Sequence, residues 1–233
     1  MSPDYRAIPT ISAADLDYLR SIDSPTIANA IELFKVRDRC DGFIGGNVKS
    51  LFPEMPPFVG YALTVTMSDE HGPVKDKHGF WKMWDALAQM PTPSVIAVQD
   101  ISGRPERVAF CGEVMATIAK RLGAVAYVTD GTVRDLHEVR ALGLPYFSSG
   151  VCVSHANFWV EEVGIDITLD GERISTGDIL HGDANGIVVI PRETVAGMKE
   201  KVDSVRTKES ELMTFVRSDA FTLDGAKSLA GYR

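Results

Sequence analysis

The sequence CGEVMATIAKRLGAVAYVTDGTVRD, at residues 111–135, contains the features that decide the fold. Residues 113–122 carry apolar side chains at helical spacing, and residues 124–128 form an uninterrupted apolar run that is typical of a buried strand. Helical spacing returns over residues 133–142. Because helix, strand and helix alternate, this part of the chain predicts an α/β fold.

The sequence on both sides extends this prediction. Two further buried strands are predicted over residues 58–67 and 94–100, and short strands separated by turns follow Pro145. Among these, Asp170-Gly171 indicates a hairpin turn, because this pair readily adopts the backbone conformation that such turns need. We therefore expect a mixed α/β body with a β-rich second half.

The chain has no obvious interdomain linker, internal repeat or low-complexity tract. We therefore predict a single domain over residues 1–233. It would have an N-terminal helical extension over residues 1–35, where Ser24-Pro25 is typical of an N-cap followed by the first helical residue. A C-terminal helix and tail would cover residues 192–233.

Composition narrows the classes of function. A formal net charge of -8 argues against nucleic acid as a partner, because such partners are bound mainly through Lys and Arg. No apolar run approaches the roughly 20 residues that a membrane helix needs. The cysteines Cys40, Cys111 and Cys152 lack the spacing of a disulfide framework or a zinc knuckle. We therefore expect a cytoplasmic protein that binds neither nucleic acid nor membranes.

Gly112 precedes the first predicted helix of the opening stretch. A helix start leaves backbone N–H groups without partners, and these donors, with the positive end of the helix dipole, suit a carboxylate or a phosphate. Glycine has no Cβ to obstruct such an anion. Residues 112–115 are therefore a candidate anion site, although the same pattern also fits an ordinary helix start.

Arg134 and Asp135 follow the strand, in the first turn of the second predicted helix. Neighbouring residues on a helix point about 100° apart, so the two side chains can contact different atoms of one ligand. The guanidinium suits an oxyanion, and the carboxylate suits a hard cation, directly or through water. The alternative is an acidic first turn beside a surface arginine. Because ligands gather where strands end and helices begin, we expect both halves to face one cleft.

These residues resemble the signature of the RraA-like family. Gly112-Glu113, twenty intervening residues and Arg134-Asp135 match it, and further blocks in family order cover most of residues 24–200. The catalytic members of the family are class II 4-hydroxy-4-methyl-2-oxoglutarate/4-carboxy-4-hydroxy-2-oxoadipate aldolases. The resemblance implies a layered αββα sandwich of the swivelling β/β/α type, assembled as a homotrimer or homohexamer with active sites at subunit interfaces.

The resemblance also implies roles for individual residues. Arg134 would bind the carboxylate side of the substrate, and Asp135 would hold Mg²⁺ or Mn²⁺. Glu113 would act with them by ordering a water that transfers protons or contacts the metal, and an acid from an adjacent subunit is the alternative for the proton transfer. The backbone amides that would cradle pyruvate belong to Gly112, Glu113, Val114 and Met115.

Two positions depart from the aldolase pattern. Glu113 is one methylene longer than the Asp that usually occupies its position, which affects how water is positioned and therefore the substrate and the rate. Asn29 stands where related sequences often have Asp.

The activity that the resemblance implies is that of a metal-dependent pyruvate aldolase. It would break the C3–C4 bond of a 4-hydroxy-2-oxo acid to give pyruvate and a carbonyl product, and oxaloacetate decarboxylation is expected as a side activity because it needs the same enolate. The alternative is a noncatalytic regulator that binds a ribonuclease. Such members typically lose the Asp that follows the Arg, and this chain retains Asp135. A methyltransferase is not favoured, since the glycine-rich cofactor loop is absent from the sequence.

Other reactive side chains receive structural interpretations. Cys111 has no His nearby in sequence and is predicted to be a small buried hydrophobe. His137, His155 and His181 are predicted to be solvated or hydrogen-bonded rather than ligands. Asp130 is predicted to support the turn that follows it.

Overall fold

The computed structural model describes residues 4–73 and 75–231. The first three and the last two positions of the predicted domain, together with Val74, lie outside the described residues. None of the helices in these two ranges is long and apolar enough to cross a membrane.

Helices and strands alternate through the first two thirds of the chain. The α-helices of the described residues are α1 (Ala13–Arg20), α2 (Ser24–Glu32), α3 (His78–Leu87), α4 (Glu113–Arg121), α5 (Leu136–Leu142), α6 (Met198–Val216) and α7 (Leu223–Leu229). Their strands are β1 (Lys49–Ser50), β2 (Phe58–Asp69), β3 (Ser94–Asp100), β4 (Ala124–Thr129), β5 (Thr132–Val133), β6 (Tyr146–Ser148), β7 (Gly150–Val151), β8 (Phe158–Val163), β9 (Ile167–Leu169), β10 (Glu172–Ile174), β11 (Ile179–Asp183) and β12 (Gly186–Ile190). Short 3-10 helices cover Tyr5–Ala7, Pro105–Arg107 and Arg192–Gly197.

Strand β2 organises the main sheet. The strand order is β1-β6-β4-β3-β2-β11-β12, and β8 also pairs with β2. One edge of β2 runs parallel to β3, whereas its other edge pairs antiparallel with β11 near its start and with β8 near its end. Strands β3, β4 and β6 continue the parallel set. The carboxyl ends of β3 and β4 therefore meet at the same edge of the sheet, which is where the residues discussed below lie.

Strand β2 also separates the two layers of the core. Because successive side chains of a strand point to opposite faces, Tyr61 and Leu63 pack in a cluster with the helices. Phe58 and Ala62 pack in a second cluster with the β9–β10 hairpin. Each large side chain buried in this way stabilises the fold by about 1.5–3 kcal/mol. The predicted mixed α/β architecture and the strand assignment of this segment are confirmed.

Helix α2 begins one residue earlier than its sequence indicates. The N-cap is Asp23 rather than Ser24, since Oδ1 of Asp23 accepts the backbone N–H of Thr26 at 2.9 Å. Pro25 still lies in the first turn, where its missing N–H costs no hydrogen bond. The helix is therefore in the expected place, and only the identity of the cap was wrong.

His181, on β11, joins the N-terminal helices to the sheet. Its fully buried ring has Nδ1 2.9 Å from Oγ of Ser24 and Nε2 3.1 Å from the carbonyl oxygen of Leu19. A carbonyl oxygen only accepts, so Nε2 carries the proton and Nδ1 accepts from the hydroxyl. Burial lowers the pKa of His181 below its ordinary 6.5, although the nearby carboxylate of Asp183 opposes the shift. The predicted hydrogen-bonded interpretation of this histidine is confirmed.

We expect acid to destabilise the fold through His181. Because burial lowers its pKa in the folded state, the unfolded state binds more protons as the pH falls below 6.5, and the free energy of unfolding decreases. The variant His181→Gln should lose this pH dependence. Urea unfolding of both proteins from about pH 8 to about pH 5 measures it.

The difference between the stability curves of the wild type and His181→Gln gives the contribution of His181 alone. Burial raises the pKa of Asp130 to about 6, so that this group contributes a slope of opposite sign, but it titrates equally in both proteins. His137→Gln, on the exposed side of α5, is the matched control and should retain the wild-type profile. Parallel stability curves for wild type and His181→Gln would contradict the assignment.

Candidate active site

The Arg-Asp pair is held by β5, which lies between β7 and the segment that precedes α4. The backbone N–H of Arg134 donates to the carbonyl of Cys111 at 2.9 Å, and that of Cys152 donates to the carbonyl of Val133 at 3.1 Å. Both residues of β5 are buried and β-branched, which favours extended backbone. The predicted helix from residue 133 is therefore wrong at its start: the pair precedes α5 instead of lying in its first turn.

Asp135 has an unusual backbone conformation. Its φ of 59° and ψ of 47° lie in the left-handed region, which costs a residue with a side chain on the order of 1 kcal/mol or more. This conformation directs the carboxylate away from α5 and towards α4, where Oδ2 accepts the backbone N–H of Glu113 at 2.8 Å. Asp135 thus supplies the cap of α4. Strained residues of this kind cluster at functional sites.

Gly112 leaves the space that the pair occupies. A Cβ at this position would lie 2.5 Å from Oδ2 of Asp135 and 2.9 Å from Nε of Arg134. The φ of -138° at Gly112 is open to any residue, so the backbone itself does not require glycine. The sequence suggested that glycine makes room for an anion, and the structure shows that it also makes room for the two side chains.

One small cavity brings the predicted site residues together. Its volume is about 100 Å³, and its wall includes all six of them: Gly112, Glu113, Val114, Met115, Arg134 and Asp135. The rest of the wall comes from Ala109, His155 and Phe158. The sequence interpretation set His155 aside and did not single out Ala109 or Phe158. What each residue does at the cavity remains a prediction.

The start of α4 offers hydrogen-bond donors to this cavity. The N–H of Glu113 is used by Asp135, whereas those of Val114 and Met115 have no acceptor within the described ranges. Both belong to the first turn, whose amides have no partner inside the helix. Two of the amides that the sequence proposed for pyruvate thus remain available.

Arg134 adds a positive charge beside these donors. Its Nε lies 3.6 Å from Oδ2 of Asp135, and both side chains are 36% exposed. Its Nη1 donates to the carbonyl of Val153 at 3.4 Å. A partly exposed pair of this kind contributes little to stability, about 0–1 kcal/mol, so its charges remain available to a ligand.

The acidic groups of the cavity are the side chains of Asp135 and Glu113. In the part of the chain that the structure describes, no three His, Cys, Asp or Glu side chains lie close enough together to enclose a metal ion. A closed structural zinc site is therefore not formed by these residues. Mg²⁺, however, is usually held by one or two carboxylates together with water and substrate oxygens, and the donors of this cavity fit that mode.

Cys111 and Asp130 are not among the residues that line the cavity. Burial raises the pKa of Cys111 to about 12, so its thiol is protonated at neutral pH and is no nucleophile, as the sequence indicated. Oδ1 of Asp130 accepts the backbone N–H of Asp100 at 2.7 Å. Asp130 therefore joins the ends of β3 and β4, and its predicted support of the following turn is wrong.

Asn29, the second departure from the aldolase pattern, is an exposed residue of α2. Its Nδ2 lies 3.4 Å from Oε1 of Glu209 on α6. It does not line the cavity.

The fold and site define an α/β protein in which a helix start with free backbone N–H groups lies beside an Arg-Asp pair. The family model described as RraA-like (Aldolase/RraA) matches residues 22–189, and the chain belongs to this family. One similar solved structure is that of RraAS2 from Streptomyces coelicolor, which is described as an unusual member of the RNase ES inhibitor RraA protein family. Its comparison with this chain gives a TM-score of 0.68 and 20% identity, over 90% of this chain and 99% of that chain. The predicted fold class is confirmed.

Two curated relatives share parts of their length with this chain. Protein DlpA of Legionella pneumophila is 26% identical over 232 residues, which are 97% of this chain but 36% of DlpA. A protein of Halalkalibacterium halodurans named "Putative 4-hydroxy-4-methyl-2-oxoglutarate aldolase" is 32% identical over 112 residues, which are 48% of this chain and 51% of that protein.

We expect Gly112→Ala to displace the Arg-Asp pair without unfolding the protein. The added Cβ would meet the carboxylate of Asp135 and the Nε and Cγ atoms of Arg134, so both side chains must shift, and displacement by about 1 Å can cost roughly 100-fold in function. Titration calorimetry with pyruvate and Mg²⁺ should show affinity reduced by at least about tenfold, with the thermal midpoint little changed.

Gly46→Ala provides the matched control, because a Cβ there would meet nothing within 4 Å. It should bind pyruvate as the wild type does. Equal affinity in both glycine variants would show that the space at Gly112 is not needed for binding.

Proposed function

We propose that this chain is a divalent-metal-dependent class II pyruvate aldolase, which cleaves a 4-hydroxy-2-oxo acid to pyruvate and a carbonyl product. The observation that carries the proposal is the cavity in which Arg134 and Asp135 lie beside the free N–H groups of α4. Membership of a family whose description includes aldolases supports it.

A 2-oxo acid presents a carboxylate and a keto oxygen on adjacent carbons. The carboxylate would accept hydrogen bonds from the N–H groups of Val114 and Met115, at the positive end of the α4 dipole. The guanidinium of Arg134, which lies beside these donors, would bind an oxygen on the carboxylate side of the substrate and add positive charge where negative charge develops. These donors are in place before the substrate arrives, so little reorganisation accompanies the reaction.

Mg²⁺ or Mn²⁺ would be held by Asp135, with Glu113 contributing through water. When bound, the ion supplies positive charge that stabilises the enolate of pyruvate. The hydrogen bond from the Glu113 N–H occupies Oδ2 of Asp135 and orients the carboxylate. Oδ1 has no partner among the residues that are described, and is the oxygen left for a ligand.

Proton transfer is assigned to Glu113. Cleavage of the C3–C4 bond requires removal of the proton from the C4 hydroxyl and later addition of a proton at C3. The Glu113 side chain is exposed on the cavity wall, where a water that it orders could carry out both steps. Oxaloacetate decarboxylation needs the same stabilised enolate and is proposed as a side activity.

Asp135→Asn should abolish turnover while leaving the fold intact. The amide oxygen can still accept the N–H of Glu113, but the charge needed by a hard cation is lost. We expect pyruvate release from a 4-hydroxy-2-oxo acid, followed by NMR with Mg²⁺ or Mn²⁺, to fall by at least about 1,000-fold. A chelator should abolish turnover of the wild type, and added metal should restore it.

The exposed Asp17→Asn on α1 is the control and should retain full activity. Turnover that persists after complete metal removal would contradict the proposal. Specific capture of a purified ribonuclease, with no 2-oxo acid cleaved, would favour the noncatalytic regulator instead.

We also propose that the chain forms a homotrimer or homohexamer. The support is a set of exposed apolar side chains on the C-terminal helices and the turn between them: Met213, Val216, Phe221, Leu223 and Leu229. Such a patch is typical of a surface that is covered in an assembly. Light scattering on the purified protein should give three or six times the monomer mass, and a monomer at micromolar concentration would contradict this.

A further inference from the structure

A second and larger groove adjoins the candidate active site. It has a volume of about 290 Å³, and apart from Lys77 its lining is apolar: Phe80, Trp81, Trp84, Met115, Ile118 and Phe158. Met115 and Phe158 also line the cavity beside Arg134 and Asp135. A ligand held at the Arg-Asp pair can therefore extend into this groove along two shared side chains.

Two aromatic rings that line the groove pack against each other. The Phe80 and Phe158 rings meet edge to face, with centroids 5.1 Å apart and an interplanar angle of 85°. Trp84 is 9% exposed and belongs to the core, whereas Trp81 is 67% exposed. Scattered exposed apolar residues are ordinary, but a contiguous apolar set is typical of an interface or a ligand-binding groove, and its position beside the cavity of the charged residues favours a ligand.

The charge of the groove favours an apolar ligand end over a second carboxylate. Lys77 is the one charged lining residue, and its Nζ lies 5.9 Å from the ring centroids of both Phe80 and Phe158. A carboxylate in the groove would lose water and gain a single exposed ammonium group. An aromatic ring would gain apolar contact on several sides and could share the ammonium through its π face.

We propose that this groove binds the distal end of the substrate and selects 2-oxo acids with an aromatic or large apolar substituent at C4. The inference rests on the proposed function, since the pyruvate end would be held beside Arg134 and Asp135. The reaction is the cleavage of a 4-aryl-4-hydroxy-2-oxobutanoate to pyruvate and an aryl aldehyde. The C3–C4 bond breaks, the C4 hydroxyl loses its proton as the carbonyl forms, and C3 gains a proton. No oxidant or reductant is consumed.

Two uncleavable ligands test the preference. 2-Oxo-4-phenylbutanoate and 2-oxoglutarate share the pyruvate end and differ at C4, which carries a phenyl group in the first and a carboxylate in the second. Titration calorimetry with the Mg²⁺-loaded full chain should show the phenyl compound binding at least about tenfold more tightly. Because neither compound has a C4 hydroxyl, the affinity ratio does not depend on turnover.

Ile118→Asp should reduce the affinity for the phenyl compound by about tenfold and leave that for pyruvate unchanged. Val36→Asp, at an exposed aliphatic residue between α2 and β1 and outside the groove, is the matched control. Trp81→Ala, on the exposed rim, should act in the same direction and serves as the second variant if Ile118→Asp does not fold.

Two results would overturn the inference. One is tighter binding of 2-oxoglutarate that is lost in Lys77→Met, which would assign the groove to a carboxylate. The other is a change of molecular mass in Ile118→Asp with an unchanged affinity ratio, which would assign the groove to a second copy of the chain. Failure of the aldolase proposal is distinguishable: the phenyl preference would persist although no 4-hydroxy-2-oxo acid releases pyruvate.

Discussion

The hydrogen bond from the backbone N–H of Glu113 to Oδ2 of Asp135 is the contact on which the site depends. It joins the start of α4 to the end of β5, and it requires both the left-handed backbone of Asp135 and the missing side chain of Gly112. A hydrogen bond to a charged group contributes about 1.5–3 kcal/mol, which is similar to the cost of the strained backbone. The bond therefore does not maintain the arrangement alone. The buried strand β5, paired on both sides, holds Asp135 in place.

Local patterns were sufficient where neighbouring residues decide the structure. The helix after Gly112 begins where predicted, and the Asp170-Gly171 hairpin forms with φ of 43° and 92°, as its turn chemistry requires. The start of α5 was mispredicted because helical spacing continues backwards through Val133. Val133 pairs with Val151 of β7, and a local pattern cannot predict a contact between two residues that are well separated in the sequence.

The same reason explains which cavity residues the sequence did not indicate. Phe158 reaches the cavity because β8 pairs antiparallel with the end of β2, which aligns Phe158 with Asp69. In the sequence it is the first residue of a strand with both apolar and acidic side chains, and only the pairing shows where its ring lies. His155 lies just before this strand in the sequence and also lines the cavity. Its ring centroid is 5.7 Å from that of Phe158. Motif spacing identified the cavity residues that belong to α4 and to the segment after β5. The pairing of β8 with β2 explains the cavity residues that the motif does not contain.

Helix α4 also explains why a charged cavity and an apolar groove lie side by side. The residues of its first turn line the cavity, while Met115 and Ile118, three residues apart and hence on one face, line the groove. Helix geometry sets the separation of these two surfaces, since one turn rises roughly 5.4 Å. A substrate bound at its carboxylate would thus meet the apolar side chains at a fixed distance along its carbon chain. Selection at C4 would then follow from side chains on a rigid helix, and Glu113, at the start of the same helix, would lie near the bond that breaks.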